Sequence, residues 1–372
     1  MVPAPFINMK IYKEPNNLLG VHWPGHSLFI DIDDRWQKTE NIEQCDLIPL
    51  IYHDDELLIK QKEILKNKIK QHHKILLLHY FHIDDYYTPE YYEDVRLKYT
   101  DITEQVYIVH KNYKNNLDKH IYFDHMFNRQ KLYCTDWKDD LELNNRTWTW
   151  GANQEIYKIN DIVKTSKFKF MAPNRIYGDL ERPRMKTRIG INFFLHKHFS
   201  SQGLINDPVQ GNIFYPNGVD QSSDTTQVSR PGGEGGTWYP IGDRYYADTF
   251  LSIYTESITV GTAVDFVSEK TFDPLIKGNY ILPFGYCGMI EFMKSKYEIT
   301  LPDWIDYTYD NIQDDKLRFE RYLHSVANVL GNSIDYIQQK YKDDKEIINK
   351  NKNLFYNRNY DYLYDVCKER IS

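Results

Sequence analysis

The sequence predicts an α/β protein of two domains with mainly parallel sheets and C-terminal helices. Three observations carry that expectation. Short apolar, β-branched runs alternate with helix-length amphipathic segments, the pattern of βαβ units. The chain has 372 residues, and at roughly 150 residues per domain this implies two domains. From Asp314 onward the pattern is helical and strongly charged.

In chain order, Asp46–Tyr52 (DLIPLIY) reads as a buried strand, followed by Asp54 as the N-cap of a helix from Glu56 to about Gln71. Lys74–Tyr80 (KILLLHY), Gln105–His110 and His120–Asp124 read as three further strands. Asp136–Gly151 has no clear period and reads as connecting structure. A second α/β region opens at Lys167–Met171, followed by a helix from about Pro183 to His198. Residues 216–243 form a long Gly-, Ser- and Pro-rich loop that includes Arg230–Gly236. Next come a strand at Phe250–Tyr254, a helix from near Ser268, a strand at Tyr280–Pro283 and a helix from about Gly288. Helices over Asp314–Leu330 and Ser333–Asn349 follow, the first with Leu317, Phe319, Tyr322, Leu323, Val326 and Leu330 as its core face. The expected layout is a first domain over 1–165, a second over 166–350 and a tail over 351–372 that returns to the first.

Hydrophobic residues at 41% and charged residues at 27% exclude a disordered chain, a collagen-like fibre and a disulfide-stapled miniature fold. The 31 tyrosines suggest an amphipathic wall along a polar ligand cleft, although low-GC coding bias would produce the same enrichment. A net charge of −7 argues against a broad nucleic-acid footprint but leaves room for a local basic patch. The four cysteines (Cys45, Cys134, Cys287, Cys367) form no CxxC pair, which points away from zinc sites and disulfides and toward a reducing compartment. The start carries no signal-peptide pattern, and the longest apolar run, Ile75–Leu78, is too short to span a membrane. A soluble cytoplasmic protein is expected.

The segment richest in chemistry is Phe266–Gly285, FVSEKTFDPLIKGNYILPFG. Ser268 stands where a helix N-cap belongs, with Glu269 and Lys270 in the first turn and Gly278 as the stop. In open α/β sheets, ligands lie beyond the carboxyl ends of strands, where helix N-termini offer N–H groups. Here a carboxylate can hold a ribose hydroxyl pair and an ammonium can meet a diphosphate; ordinary capping also accounts for the pattern. A second cluster, Met171–Arg188, crowds Arg175, Arg182, Arg184, Lys186 and Arg188 behind a strand. Such cations suit a departing diphosphate, or are simply solvated charges at an exposed helix start.

VSEKTFDPLIKGNYILPFG resembles the donor-nucleotide motif of fucosyltransferase-like glycosyltransferases. It is more similar still to a group of phage and bacterial proteins of that kind, which carry an EKT-x-x-P-x-x-x-G element. Here that element is Glu269-Lys270-Thr271, Pro274 and Gly278; Phe250–Ser257 (FLSIYTES) lies upstream and Asp306–Asp310 downstream. The resemblance covers roughly residues 168–350.

It implies the GT-B form of the α/β class, two Rossmann-like domains facing a cleft with C-terminal helices, and metal-independent transfer with no cofactor beyond the nucleotide-sugar co-substrate. On that analogy 1–165 is the acceptor domain and 166–350 the donor domain. Ser268, Glu269 and Lys270 would hold the nucleotide, with Glu269 on the ribose and Lys270 on the diphosphate, while Asn174, Arg175 and Arg184 would meet the phosphates. The acceptor would be a glycan or a hydroxymethylated base in DNA.

Inverting transfer needs a general base. Asp84 and Asp85, after the KILLLHY strand, lead the candidates, with His79 and His82 beside them. Asp124 with His125, and His22, His26, Asp31, Asp33 and Asp34, are alternatives. A non-catalytic protein on a degenerate glycosyltransferase fold is the competing reading. A dinucleotide oxidoreductase is set aside because no GxGxxG follows an early strand. His72-His73 and His196-Lys197-His198 read as solvent-facing helix ends, and the Arg230–Gly236 loop as a mobile lid or acceptor loop over the cleft.

Overall fold

The computed structural model describes residues 9–13, 35–52, 54–79, 89–110, 117–124, 127–128, 164–165, 167–174, 176, 180–206, 213–214, 243–260, 266–356 and 363–371. The chain forms two compact units, Met1–His125 with Asp361–Ser372, and Met126–Tyr360. Each is a mixed α/β structure on a sheet of mainly parallel strands, consistent with a two-domain Rossmann-like layout. Among the described residues no helix is long and apolar enough to cross a membrane.

In the first unit β1 (Lys10–Tyr12), β2 (Gln37–Thr39), β3 (Leu47–Leu50), β4 (Lys74–Leu78), β5 (Val106–His110) and β6 (His120–Tyr122) pair in the order β2-β1-β3-β4-β5-β6. All five pairings are parallel. A parallel sheet is covered on both faces, so its central strands are apolar throughout. The strand period of two then divides them between two cores. Ile75 and Leu77 pack with Leu58 and Leu65 of α1 (Asp55–Leu65) and Val95 of α2 (Pro89–Leu97). Leu76 and Leu78 pack with Leu363 and Cys367 of the C-terminal helix Leu363–Ile371. That helix is tied further by Arg35 to Asp365 at 2.9 Å and by the Lys74 ammonium to the Ile371 carbonyl at 2.6 Å.

Asp54 caps α1 as expected, its Oδ1 accepting the Leu57 N–H at 2.8 Å. The helix ends at Leu65, short of the expected Gln71; the Leu65 carbonyl accepts from Lys68 and Ile69 in the turn that follows, and the Lys70 N–H then donates to Nδ1 of His73 at 2.9 Å. His73 is wholly buried, so the solvent-facing reading is corrected for it. The α2 face of the sheet turns polar toward the carboxyl ends of β4 and β5. His79, His110 and His120 are all buried there. Tyr92 stacks on His110 with ring centroids 4.5 Å apart. Glu93 accepts from Arg96 and, at 3.0 Å, bonds Nε2 of His120, whose Nδ1 lies 3.2 Å from Nε2 of His110.

In the second unit β7 (Phe168–Ala172), β8 (Gly203–Asn206), β9 (Ile213–Phe214), β10 (Thr249–Thr255) and β11 (Tyr280–Phe284) pair in the order β11-β10-β7-β8-β9, parallel except β9. Helix α3 (Pro183–Phe199) links β7 to β8. Gly203 is required at its position, because a Cβ there would lie 2.3 Å from the Phe170 ring. The short α4 (Asp243–Ala247) leads into β10, and α5 (Glu269–Ile276) connects β10 to β11. Gly278, at φ +74°, follows α5 and turns the chain as the sequence suggested.

Helices α6 (Met289–Tyr297), α7 (Asp315–Leu330), α8 (Ile334–Asp343) and α9 (Lys345–Tyr356) complete the unit. The expected second long helix is two, broken at Asp344, whose carboxylate accepts from Tyr280 Oη and Trp304 Nε1. The core face of α7 is as expected at Phe319, Tyr322, Leu323, Val326 and Leu330, and differs at its first turn. Leu317 is 53% exposed, while Arg318 is buried and donates to the Thr259 and Ile312 carbonyls. Strand β11 is one edge of the sheet, and three of its carbonyls accept tyrosine hydroxyls, those of Ile281 and Pro283 on the side away from β10. Tyr307 donates to Ile281 at 2.9 Å, Tyr322 to Leu282 at 3.0 Å and Tyr309 to Pro283 at 2.6 Å.

Two outcomes are expected. Tyr309→Phe leaves the buried Pro283 carbonyl without that donor and should cost about 1–3 kcal/mol in urea unfolding; a loss of only a few tenths would mean water replaces the hydroxyl. The first unit should also be acid-labile. Burial, aided by its neighbouring imidazoles, pushes His110 down from 6.5 to about 3, and the Arg96 hydrogen bonds hold Glu93 at about 2. Between these limits the unfolded state binds more protons, so stability falls as pH drops below 6.5, with Glu93 adding to the loss below 4.5. His110→Gln should flatten the stability–pH slope between pH 6.5 and 4.5 by up to one proton, about 1.4 kcal/mol per pH unit. An unchanged slope removes His110 from the account.

Candidate functional site

The order of the second sheet reverses between β7 and β10: β7 runs on to β8 on one side, and β10 to β11 on the other. Ligand crevices of open α/β sheets form outside the carboxyl ends at such a point. Residues from both sequence clusters meet there.

Asn174 follows β7 and bridges to β10. Its Oδ1 accepts the Thr255 N–H at 2.8 Å, its Nδ2 donates to the Ile253 carbonyl at 3.3 Å, and its own carbonyl accepts from Asn192 at 3.0 Å. The side chain is buried, and both polar ends of its carboxamide are committed to the β10 backbone. Arg188, on the second turn of α3, is buried and donates Nε to Thr255 Oγ1 at 2.9 Å. Arg184 is half-buried and Arg182 exposed in the region where α3 begins. That first turn holds no acidic residue, and Arg182 makes no side-chain cap. Lys186 is exposed and paired with Glu181 at 2.6 Å.

On the other side of the reversal, β10 runs directly into Glu256 and Ser257. Glu256 is wholly buried, and its backbone N–H continues the ladder to Phe284. Its carboxylate accepts four hydrogen bonds: from Ser257 N at 3.1 Å, Ser268 N at 3.2 Å, Ser268 Oγ at 2.5 Å and Thr271 Oγ1 at 2.5 Å. Ser268 caps α5 as expected, its Oγ accepting the Lys270 N–H at 3.3 Å. The Lys270 ammonium lies 2.9 Å from Glu269 Oε1, 3.3 Å from Ser257 Oγ and 3.4 Å from Ser268 Oγ. Lys270 and Glu269 are each about one-quarter exposed. The turn therefore offers solvent a carboxylate and an ammonium side by side, on a base of buried hydroxyls.

Ser268, Glu269 and Lys270 thus stand together, with Asn174 at the same carboxyl edge of the sheet. Arg175, Asp84, Asp85, His82, His125, the N-terminal His and Asp set and the Arg230–Gly236 loop lie outside the described residues. His79 belongs to the buried polar layer of the first unit, and Asp124 is buried at the end of β6. Glu256, Ser257 and the inward turn of Arg188 were not singled out from the sequence. The available signal was FLSIYTES, an apolar strand that ends on a charged residue. Among the described residues no group of three His, Cys, Asp or Glu is placed to hold a metal ion.

No protein-family model matches the chain, and a search of curated proteins finds none similar to it. The Asn174 bridge is testable through stability. Asn174→Ala removes both side-chain bonds between the ends of β7 and β10 and should lower the unfolding free energy by about 1–3 kcal/mol, read by denaturant titration. Stability within a few tenths of wild type would mean that the bridge is not structural.

Proposed function

We propose that the chain is a GT-B glycosyltransferase that moves a sugar from a nucleoside-diphosphate donor to a hydroxyl acceptor, with the donor held by the second unit. The observation that carries this reading is the Ser268–Glu269–Lys270 turn. It starts a helix at the carboxyl end of β10, beside the order reversal, and presents its carboxylate and ammonium together. Glu269 would accept the ribose hydroxyls. Lys270, with Arg184 and Arg175, would meet the diphosphate, whose negative charge grows as the bond to the sugar breaks.

In the inverting form the acceptor oxygen attacks the anomeric carbon. The bond from that carbon to the β-phosphate oxygen breaks with its electron pair on the diphosphate, and the acceptor proton passes to a base. Asp84 or Asp85 of the first unit fills that last role in this reading. The acceptor hydroxyl belongs to a glycan or to a hydroxymethylated base in DNA; a DNA acceptor would show as duplex binding that weakens steeply with salt.

A melting screen against GDP, UDP, ADP, CMP and dTDP, with and without EDTA, tests the donor site. At about 100 times its Kd one of the diphosphates should stabilise the protein by about 2.7 kcal/mol, with or without EDTA. Glu269→Ala and Lys270→Ala should each weaken that ligand at least a hundredfold and remove the shift. No shift with any nucleotide overturns the proposal. Binding without turnover of the matching nucleotide sugar would instead favour a non-catalytic protein on a glycosyltransferase-like fold.

A further inference from the structure

Glu256 is a buried carboxylate at the rim of the candidate site, and capping alone does not require it. Taking a carboxylate out of water is costly unless donors replace its hydration, and its four donors are two backbone N–H groups and two hydroxyls. The two hydroxyl bonds, at 2.5 Å, have the length of charge-assisted O–H···O⁻ bonds. Their polarity follows from counting protons. Ser268 has one hydroxyl hydrogen, and Glu256 takes it. Both lone pairs of Ser268 Oγ then face Lys270, one toward its N–H and one toward its ammonium. Ser257, whose N–H is also held by Glu256, places the second hydroxyl on that ammonium.

We infer that Glu256 is a positioning residue for Lys270: it orients the hydroxyls that hold the ammonium over the start of α5. The inference rests on the nucleotide-donor reading and adds to it the buried group through which Lys270 is set for a diphosphate. Glu256→Gln keeps the volume but reverses the polarity. With its NH₂ on the Oε2 side it would donate to Ser268 Oγ and confront the Ser257 N–H, and the Ser268 hydrogen would then turn toward the ammonium; the opposite flip would set the NH₂ against the Thr271 hydroxyl and the Ser268 N–H.

The test is a double-mutant cycle on ligand affinity, read by calorimetry with whichever of GDP, UDP, ADP and dTDP binds wild type most tightly, taken to millimolar concentration. Glu256→Gln should raise Kd at least tenfold in the wild-type background and less than twofold in the Lys270→Ala background. A change that acts on the fold as a whole would penalise both backgrounds alike. Equal factors in the two backgrounds, or no change in either, overturn the inference. If wild type binds none of the four nucleotides, the donor reading itself fails. Should Glu256→Gln not fold, Ser268→Ala, which deletes the hydroxyl between Glu256 and Lys270, enters the same cycle with the same expected non-additivity, and equal penalties overturn the inference there too.

Discussion

The carboxyl edge of the second sheet is organised by the need to keep one carboxylate satisfied without water. Glu256 can be buried only if the chain beyond it returns to supply donors, and Ser268 and Thr271 do so from 12 and 15 residues downstream. That return fixes where α5 starts, and with it where Glu269 and Lys270 stand. The strand period of two distributes the work. Tyr254 and Glu256 point to the α5 side, where the Tyr254 hydroxyl donates to Thr271 at 2.7 Å. Thr255 points the other way and receives Arg188. Three consecutive residues at the end of β10 thereby join two helices to the sheet.

The same unit shows what the abundant tyrosines do. The composition suggested a ligand wall, but Tyr254, Tyr309 and Tyr322 are among the largest fully buried side chains. An edge strand exposes unpaired carbonyls and invites pairing with another chain. Here β11 also contains Pro283, which has no N–H to give and is tolerated at such an edge. Tyrosine suits the task because its ring fills the core while its hydroxyl reaches a backbone acceptor. Phenylalanine would pack as well and leave the Ile281 and Pro283 carbonyls without these donors.

What was legible in the sequence follows from which interactions are local. The buried parallel strands β3, β4, β5, β10 and β11 are continuous apolar runs, and the caps at Asp54 and Ser268 and the turn at Gly278 depend on residues a few positions away. Strands β1 and β2 have three residues each, too few to show a period, and β8 begins on a glycine whose role is set by Phe170 far away in sequence. The inward turn of Arg188 and Arg318 could not be read from pattern, since a charged residue at a core position looks like a surface one until its partners are known. Arg188 finds Thr255, 67 residues away, and Arg318, beside its near partners Ile312 and Asp315, finds Thr259, 59 residues away. Glu256 was visible only as the Thr-Glu end of the FLSIYTES strand, and its burial and its donors 12 and 15 residues downstream were not. The Glu-Lys pair of the next turn was visible because its chemistry is written in adjacent letters.

The resting pairing of Glu269 with Lys270 bears directly on how a nucleotide donor would bind. In isolation the pair could be taken as a salt bridge that merely stabilises the turn, using up both groups. About a quarter of each side chain remains exposed, so an incoming ligand can reach the pair. A diphosphate would give Lys270 a stronger, charge-assisted partner, and a ribose hydroxyl would replace the ammonium on Glu269 Oε1. Ser257 and Ser268 would still hold the ammonium from below while its outer contact changed. On that reading the ammonium exchanges Glu269 for the diphosphate, and the Ser257 and Ser268 hydroxyls, 3.3 and 3.4 Å from it, are the contacts that persist.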